Sequence, residues 1–274
     1  MGASIYLGKV LSSGTKGCNI VLPTTASYDP DAQAFFTAAG ITDSTQKSAV
    51  NQLVLDLKAY GIWTTPNLVI YPMVGGTNTT TSYNLTNPAQ FQISWIGGVV
   101  SSNNGVQFNG INSYGNTGYN QTTVGDTLNS AHLSYYSRTD ANLTSSEIGV
   151  MNPASNYNML ILRNAGTTYF LSNQSSLTTV ADGNSLGFYL TNRQASNDID
   201  GWKNGVKLIN GTTASNSLPN ANIFIGAFNS GGVATNYTTK QCAFASIGSK
   251  LTDTQAANFY TAVQAFNTTL GRQV

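Results

Sequence analysis

The chain has 274 residues, a formal net charge of +1, and 8% charged residues against 41% hydrophobic ones. That balance supplies a sizeable core and excludes wholesale disorder, and the absence of a basic cluster removes the electrostatic footprint of a nucleic-acid binder. No apolar run approaches the roughly 18 residues that span a bilayer, and residues 2–17 hold Lys9 and Lys16 but no continuous apolar signal core, so neither membrane insertion nor signal-directed secretion is expected.

Residues 1 to about 30 carry short alternating segments at 4–7 and 19–22, broken by Gly8, Gly14 and Pro23, and suit an arm or edge strands rather than a core. Asp29-Pro30-Asp31 signals a helix start, with a short helix expected over 32–39. A second helix is expected over 43–60, because Val50, Leu53, Val54 and Leu57 share a face. Asp43 and Gln46 have capping-box spacing there, and Gly61 ends the run.

From Ile62 the period changes from helical to strand-like. Strands are expected at 68–71, 91–96, 106–108 and 131–136, then as a pair over 157–162 and 168–171, and further on at 185–190, 223–227 and 243–247. Asn109-Gly110 and Asn204-Gly205 read as tight hairpin turns. The chain closes on a helix that begins after Thr252, where Thr252 and Gln255 form a capping box and Ala256, Phe259, Val263, Phe266 and Leu270 make an apolar stripe. Short strands with turn signals about every ten residues favour a sandwich over alternating α/β units. The expected division is an arm with its helix over 1–62 and a β-sandwich over 63–274.

Reactive side chains are scarce. Glu147 is the only glutamate and His132 the only histidine, so a carboxylate pair for glycoside hydrolysis or a histidine-based triad has little to draw on, and no catalytic residue is assigned. Cys18 and Cys242 are too few for a disulfide framework; two small buried side chains are expected, with a long-range bridge as the alternative. Asp198 and Asp200 lie between Asn197 and Gly201 and read first as turn carboxylates. Tyr114 and Tyr119, in a Gly/Asn-rich stretch expected to be exposed, are the candidate ligand-binding residues. They offer aromatic faces to a sugar or, alternatively, pack on the sheet or on a neighbouring subunit.

Several blocks recur together in one order. Ser185-Leu186-Gly187-Phe188 with Asn192-Arg193, then Gly201-Trp202-Lys203-Asn204-Gly205, Ile223-Phe224-Ile225-Gly226-Ala227, Phe244-Ala245-Ser246-Ile247-Gly248 and Leu251-Thr252-Asp253 resemble the concanavalin A-like, laminin-G-type jelly roll of bacteriophage virion proteins. The block 39–76 is similar to the helical lead-in of the same proteins. The resemblance implies a mainly β fold, a concanavalin A-like jelly-roll β-sandwich with an N-terminal helical lead-in and a short C-terminal helix. It implies a non-enzymatic fibre, spike or decoration component exposed on the virion, a homo-oligomer (a trimer if a fibre), attached to other virion proteins through its N-terminal arm. Host surface glycan is the implied ligand. Calcium is the one cofactor the resemblance leaves open, with Asp198 and Asp200 as its ligands and Asp126 and Asp182 as further candidates. A glycan-cleaving enzyme of the same fold and a purely architectural capsid or tail protein are the alternatives.

Overall fold

The computed structural model describes residues 27–152 and 155–274. The strand-like segments at 4–7 and 19–22, most of the expected arm and Cys18 lie outside the described residues. Helices α1 (Pro30–Ala39) and α2 (Ser44–Ala59) come first, then strands β1 (Val69–Tyr71), β2 (Ser94–Ile96), β3 (Val100–Ser102), β4 (Gly105–Gln107) and β5 (Tyr114–Asn116). A one-turn helix, α3 (Gln121–Val124), leads into β6 (Ala131–Ser137), β7 (Ile148–Met151), β8 (Tyr157–Asn164), β9 (Thr167–Gln174) and β10 (Thr179–Ala181). The remaining strands are β11 (Gly187–Ala195), β12 (Asp198–Lys203), β13 (Val206–Gly211), β14 (Phe224–Ile225), β15 (Phe228–Ser230), β16 (Val233–Thr235) and β17 (Cys242–Gly248), and α4 (Asp253–Thr269) closes the chain.

The strands form two sheets, as a β-sandwich requires. Sheet A runs β13-β12-β11-β6-β17-β4-β3 with β1 also on β17; sheet B runs β10-β9-β8-β7-β14-β5-β2, with β15 beside β7 and β16 beside β15. All pairings are antiparallel except β15 on β7. Val69, Tyr71, Leu133, Tyr135, Tyr189 and Ile247 of sheet A meet Ile148, Val150, Leu160, Leu162 and Phe170 of sheet B in one apolar layer. The alternate residues of sheet A, among them Tyr136, Phe188, Leu190 and Phe244, meet α1, α2 and α4 in a second. Sheet A is therefore covered on both faces, which is why every residue of β6 and β17 is buried.

The helices form for the reasons their sequences give. Thr252 and Gln255 make both hydrogen bonds of the capping box at α4, and Phe259 wedges edge-on against Phe188 and Phe244 at 5.5 and 5.7 Å. At α2 only half of the expected box exists. Asp43 accepts from the Gln46 backbone, but the Gln46 side chain accepts from the Gly75 N–H and donates to Asn103, pinning a distant loop. Arg272, just past α4, is wholly buried. Its guanidinium donates to the carbonyls of Pro72, Met73 and Ala243 and lies over Phe266, so the chain end is tied to sheet A. Burial without an anionic partner pulls its pKa down to about 9.

Turn chemistry was legible at one Asn-Gly and not at the other. Asn204 and Gly205, at φ 49° and 74°, form the two-residue loop between β12 and β13, a conformation that favours these residues. Asn109-Gly110 makes no hairpin: the Asn109 side-chain oxygen Oδ1 accepts from the N–H groups of Ile111, Asn112 and Ser113 and ties down a wider loop. Asp198 and Asp200 are not turn residues either. They belong to β12, and the chain reverses just before them, after β11 ends at Ala195.

Candidate functional site

β6 and β17 run side by side, and at the end where β6 begins and β17 stops, Pro66, Asn67, Asp126, Ser130, Ser249 and Lys250 line a cleft of about 340 Å³. The acid is delivered there by α3. Gly125 ends that helix at φ 78°, and the Asp126 N–H returns to the Gln121 carbonyl, which turns the Asp126 side chain toward the sandwich. One carboxylate oxygen accepts from the Tyr119 hydroxyl at 2.7 Å and the other from the Asn67 amide at 2.7 Å.

Asp126 is only 8% exposed. Burial pushes its pKa above the usual carboxylate range, while the donors from Tyr119, Asn67 and Gln121 hold it back. Asn67 is held in the left-handed region at φ 55°, uncommon for a residue with a Cβ, and the bond to Asp126 helps to fix it. Lys250, on the same wall, donates through Nζ to the Gln194 carbonyl at 3.1 Å.

Behind the cleft sits His132. Its Nδ1 lies 2.6 Å from the Ser249 carbonyl, which cannot donate, so Nδ1 carries the proton and Nε2 accepts from Ser246 at 3.1 Å. Ser134 continues the chain at 2.6 Å from Ser246. Complete burial drives the His132 pKa down to about 4, and the ring is neutral at pH 7.

The two tyrosines expected in an exposed loop are placed differently. Tyr114 opens β5 on the outer face of sheet B, half-buried, its ring 4.7 Å from Phe224 and 6.2 Å from Tyr237. Tyr119 has no exposure; it packs between the sheets against Phe91 and presents no face to a ligand. Its link to the cleft runs through its hydroxyl on Asp126. The stretch was polar enough to look like a surface loop, but β5 and the inter-sheet layer claimed its aromatics.

Asp198 and Asp200 share the side of β12 that carries Trp202 toward the helices. Lys207 lies 2.8 Å from Asp200 and 2.8 Å from Asp253, with its ammonium over the Trp202 ring, so a cation of the chain already serves Asp200. Among the described residues no three His, Cys, Asp or Glu side chains converge as a metal-ligand set. Asp182 pairs with Lys203 at 2.6 Å, which helps hold its pKa low.

Glu147 lies at the opposite end of the sandwich from the cleft. It is wholly buried and bonded to Lys240, Ser145, Thr238 and the Leu162 N–H, so no carboxylate pair opens on a sugar-sized gap around it. Asn67, Ser130 and Lys250 carry no local signal of site membership, because only the pairing of β17 with β1 and β6 brings them to Asp126.

No known family's sequence profile matches the chain, and no curated protein matches it. Solved structures do. The sialidase of Trypanosoma rangeli in complex with 2,3-difluoro-KDN superposes with a TM-score of 0.52 at 11% identity, covering 78% of this chain and 39% of the sialidase. A mutant of that sialidase displaying trans-sialidase activity gives 0.52 at 13% identity, over 79% and 39%. The binding domain of botulinum neurotoxin serotype D gives 0.49 at 10%, over 73% and 52%. The chain thus spans about two fifths of the sialidases it matches, and the likeness is one of fold: a β-sandwich.

Proposed function

We propose that this chain is a bacteriophage virion surface protein of the concanavalin A-like, laminin-G-type jelly-roll kind, which holds a host surface glycan in the cleft beside Asp126. The observation that carries the glycan reading is that cleft: a concave pocket with a largely apolar lining, whose buried carboxylate is set by Tyr119 and Asn67 and whose rim adds the Ser130 hydroxyl and the Lys250 ammonium. Sugar hydroxyls both donate and accept, and a fixed acceptor beside fixed donors suits them. The virion reading rests on the ordered sequence blocks and on the charge-poor composition.

The function is retention. Individually weak sites repeated over a particle give firm attachment, and the N-terminal arm is assigned to sister subunits or other virion proteins. Calcium at Asp198 and Asp200 is left out of this reading, since Lys207 already neutralises Asp200. A glycan panel tests the reading: the chain binds at least one glycan, and Asp126→Asn loses that binding while keeping the fold. Unchanged binding by the variant, or no binding to any glycan, overturns it. An image of an intact particle that lacks the chain overturns the virion assignment.

A second reading has its own observation. The half-buried Tyr114 and Tyr237, set around the buried Phe224 on the outer face of sheet B, suit a contact between subunits in a purely architectural protein. Particle density over that face, with no glycan bound, would favour it.

A further inference from the structure

Glu147 precedes β7 of sheet B, and Lys240 lies two residues ahead of β17 of sheet A. Both side chains are wholly buried, with Nζ 2.9 Å from Oε1. Around them is more than an ion pair needs. The Ser145 hydroxyl lies 3.2 Å from Nζ and donates to Oε1 at 2.9 Å, so one hydroxyl bridges amine and acid. Thr238 donates to the same Oε1 at 2.9 Å, and the Leu162 N–H donates to Oε2 at 2.6 Å. The Tyr135 hydroxyl fixes the Lys240 carbonyl from below at 2.8 Å.

We propose that Lys240 and Glu147 condense into an intramolecular amide bond that staples sheet A to sheet B. Transfer of one proton from Nζ to Oε1 along their hydrogen bond leaves an amine facing a carboxylic acid. The nitrogen lone pair then attacks Cδ, and Oε2 takes up negative charge against the Leu162 N–H, a single donor already aimed at that oxygen. Ser145 carries a second proton from the nitrogen to Oε1, the Cδ–Oε1 bond breaks, and Oε1 leaves as water. One N–C bond forms, one C–O bond breaks, one water is released, and no oxidant or cofactor enters.

Two physical terms favour the step. The 2.9 Å contact to Oε1 holds Nζ beside the Cδ it attacks, and groups fixed side by side in this way react with effective concentrations of roughly 10⁵ M or more. A neutral amide also removes two charges from an interior where each costs several kcal/mol to hold.

Mass spectrometry of the purified full chain reads the outcome directly. The intact mass falls one water below the sequence mass. Trypsin under denaturing conditions yields a branched species joining 139–163 to 208–250, with no cleavage after Lys240. The double variant Glu147→Leu/Lys240→Met, which keeps the site apolar, shows the full sequence mass. Linear peptides 139–163 and 208–240 in full yield from the wild-type chain overturn the proposal. Ser145→Ala accumulates the unlinked form, and undiminished linkage in that variant would remove Ser145 from the step.

Discussion

Glu147 and Asp126 are both buried carboxylates, set beyond opposite ends of the strand pair β6 and β17, and the chain treats them in opposite ways. Glu147 is met by the Lys240 ammonium, two hydroxyls and a backbone N–H, and nothing reaches it from solvent. Asp126 is met by a phenol and two amides, forms no ion pair among the described residues, and faces a cleft. A sealed, charge-matched acid fixes structure and offers nothing to a ligand. An acid left without a cation at the edge of a cavity keeps capacity for a ligand, at a cost in stability. That difference, more than residue type, separates structural from functional candidates in this sandwich.

The sharpest way to break the comparison is at the sealed end. Lys240→Met strands the Glu147 charge and is expected to cost about 3–5 kcal/mol in denaturant unfolding. Adding Glu147→Leu to it is expected to recover the part of that loss due to the stranded charge, leaving the double variant below the wild-type chain by what the proposed amide link contributes. A double variant as unstable as the single one would mean that the lost link between the sheets, not the stranded charge, carries the effect.

Next in size is acid sensitivity at the cleft end. His132 has its pKa lowered from 6.5 to about 4, so below pH 6.5 the unfolded chain takes up a proton that the folded chain refuses. Stability is therefore full above pH 6.5 and falls by about 3 kcal/mol as pH drops to about 4. Asp126 works with the opposite sign. Its raised pKa means the folded chain binds the proton first, so this group favours folding as pH falls through that raised value. Unfolding of His132→Asn as a function of pH is expected to lose most of the slope between pH 6.5 and 4, and an unchanged slope would contradict the buried neutral ring.

Asp126→Asn should change stability at pH 7 by no more than about 1 kcal/mol, because it removes a buried charge while keeping a group that accepts from Tyr119. Its effect is expected on glycan affinity, about tenfold or more, corresponding to roughly 1.4 kcal/mol. The smallest effect is expected from Tyr114→Ala. Loss of one half-buried ring against Phe224 costs about 1 kcal/mol in melting experiments and leaves glycan affinity within about twofold. A large loss of affinity there would move the site to the outer face of sheet B.

The parts of the fold legible in the sequence are those set by local chemistry. The Thr252–Gln255 box, the apolar stripe of α4, the Asn204-Gly205 hairpin and the alternating run at Ala131–Ser137 each carry their cause within a few residues. The misreadings share another origin. β5, β7 and β15 are three or four residues long and hold their place through neighbours distant in sequence, so no period announces them. Asp198 and Asp200 looked like a turn because Asn197 and Gly201 flank them, yet Gly201 is there for contact across the layer: a Cβ would come within 2.4 Å of the Phe170 ring.

The candidate site was less legible still. Tyr119 and Asp126 both stood out as single residues, one as a sugar platform and one as a calcium ligand, but their hydroxyl–carboxylate bond is a tertiary fact. Asn67 and Lys250 reach the same cleft from positions far apart in the chain, one ahead of β1 and the other after β17.

The most direct test of the account is a crystal structure of the chain with a glycan that scores in the panel. The account predicts sugar hydroxyls within hydrogen-bonding distance of the Asp126 carboxylate and the Lys250 ammonium. Sugar stacked on Tyr114 instead, with the Asp126 cleft empty, would contradict it.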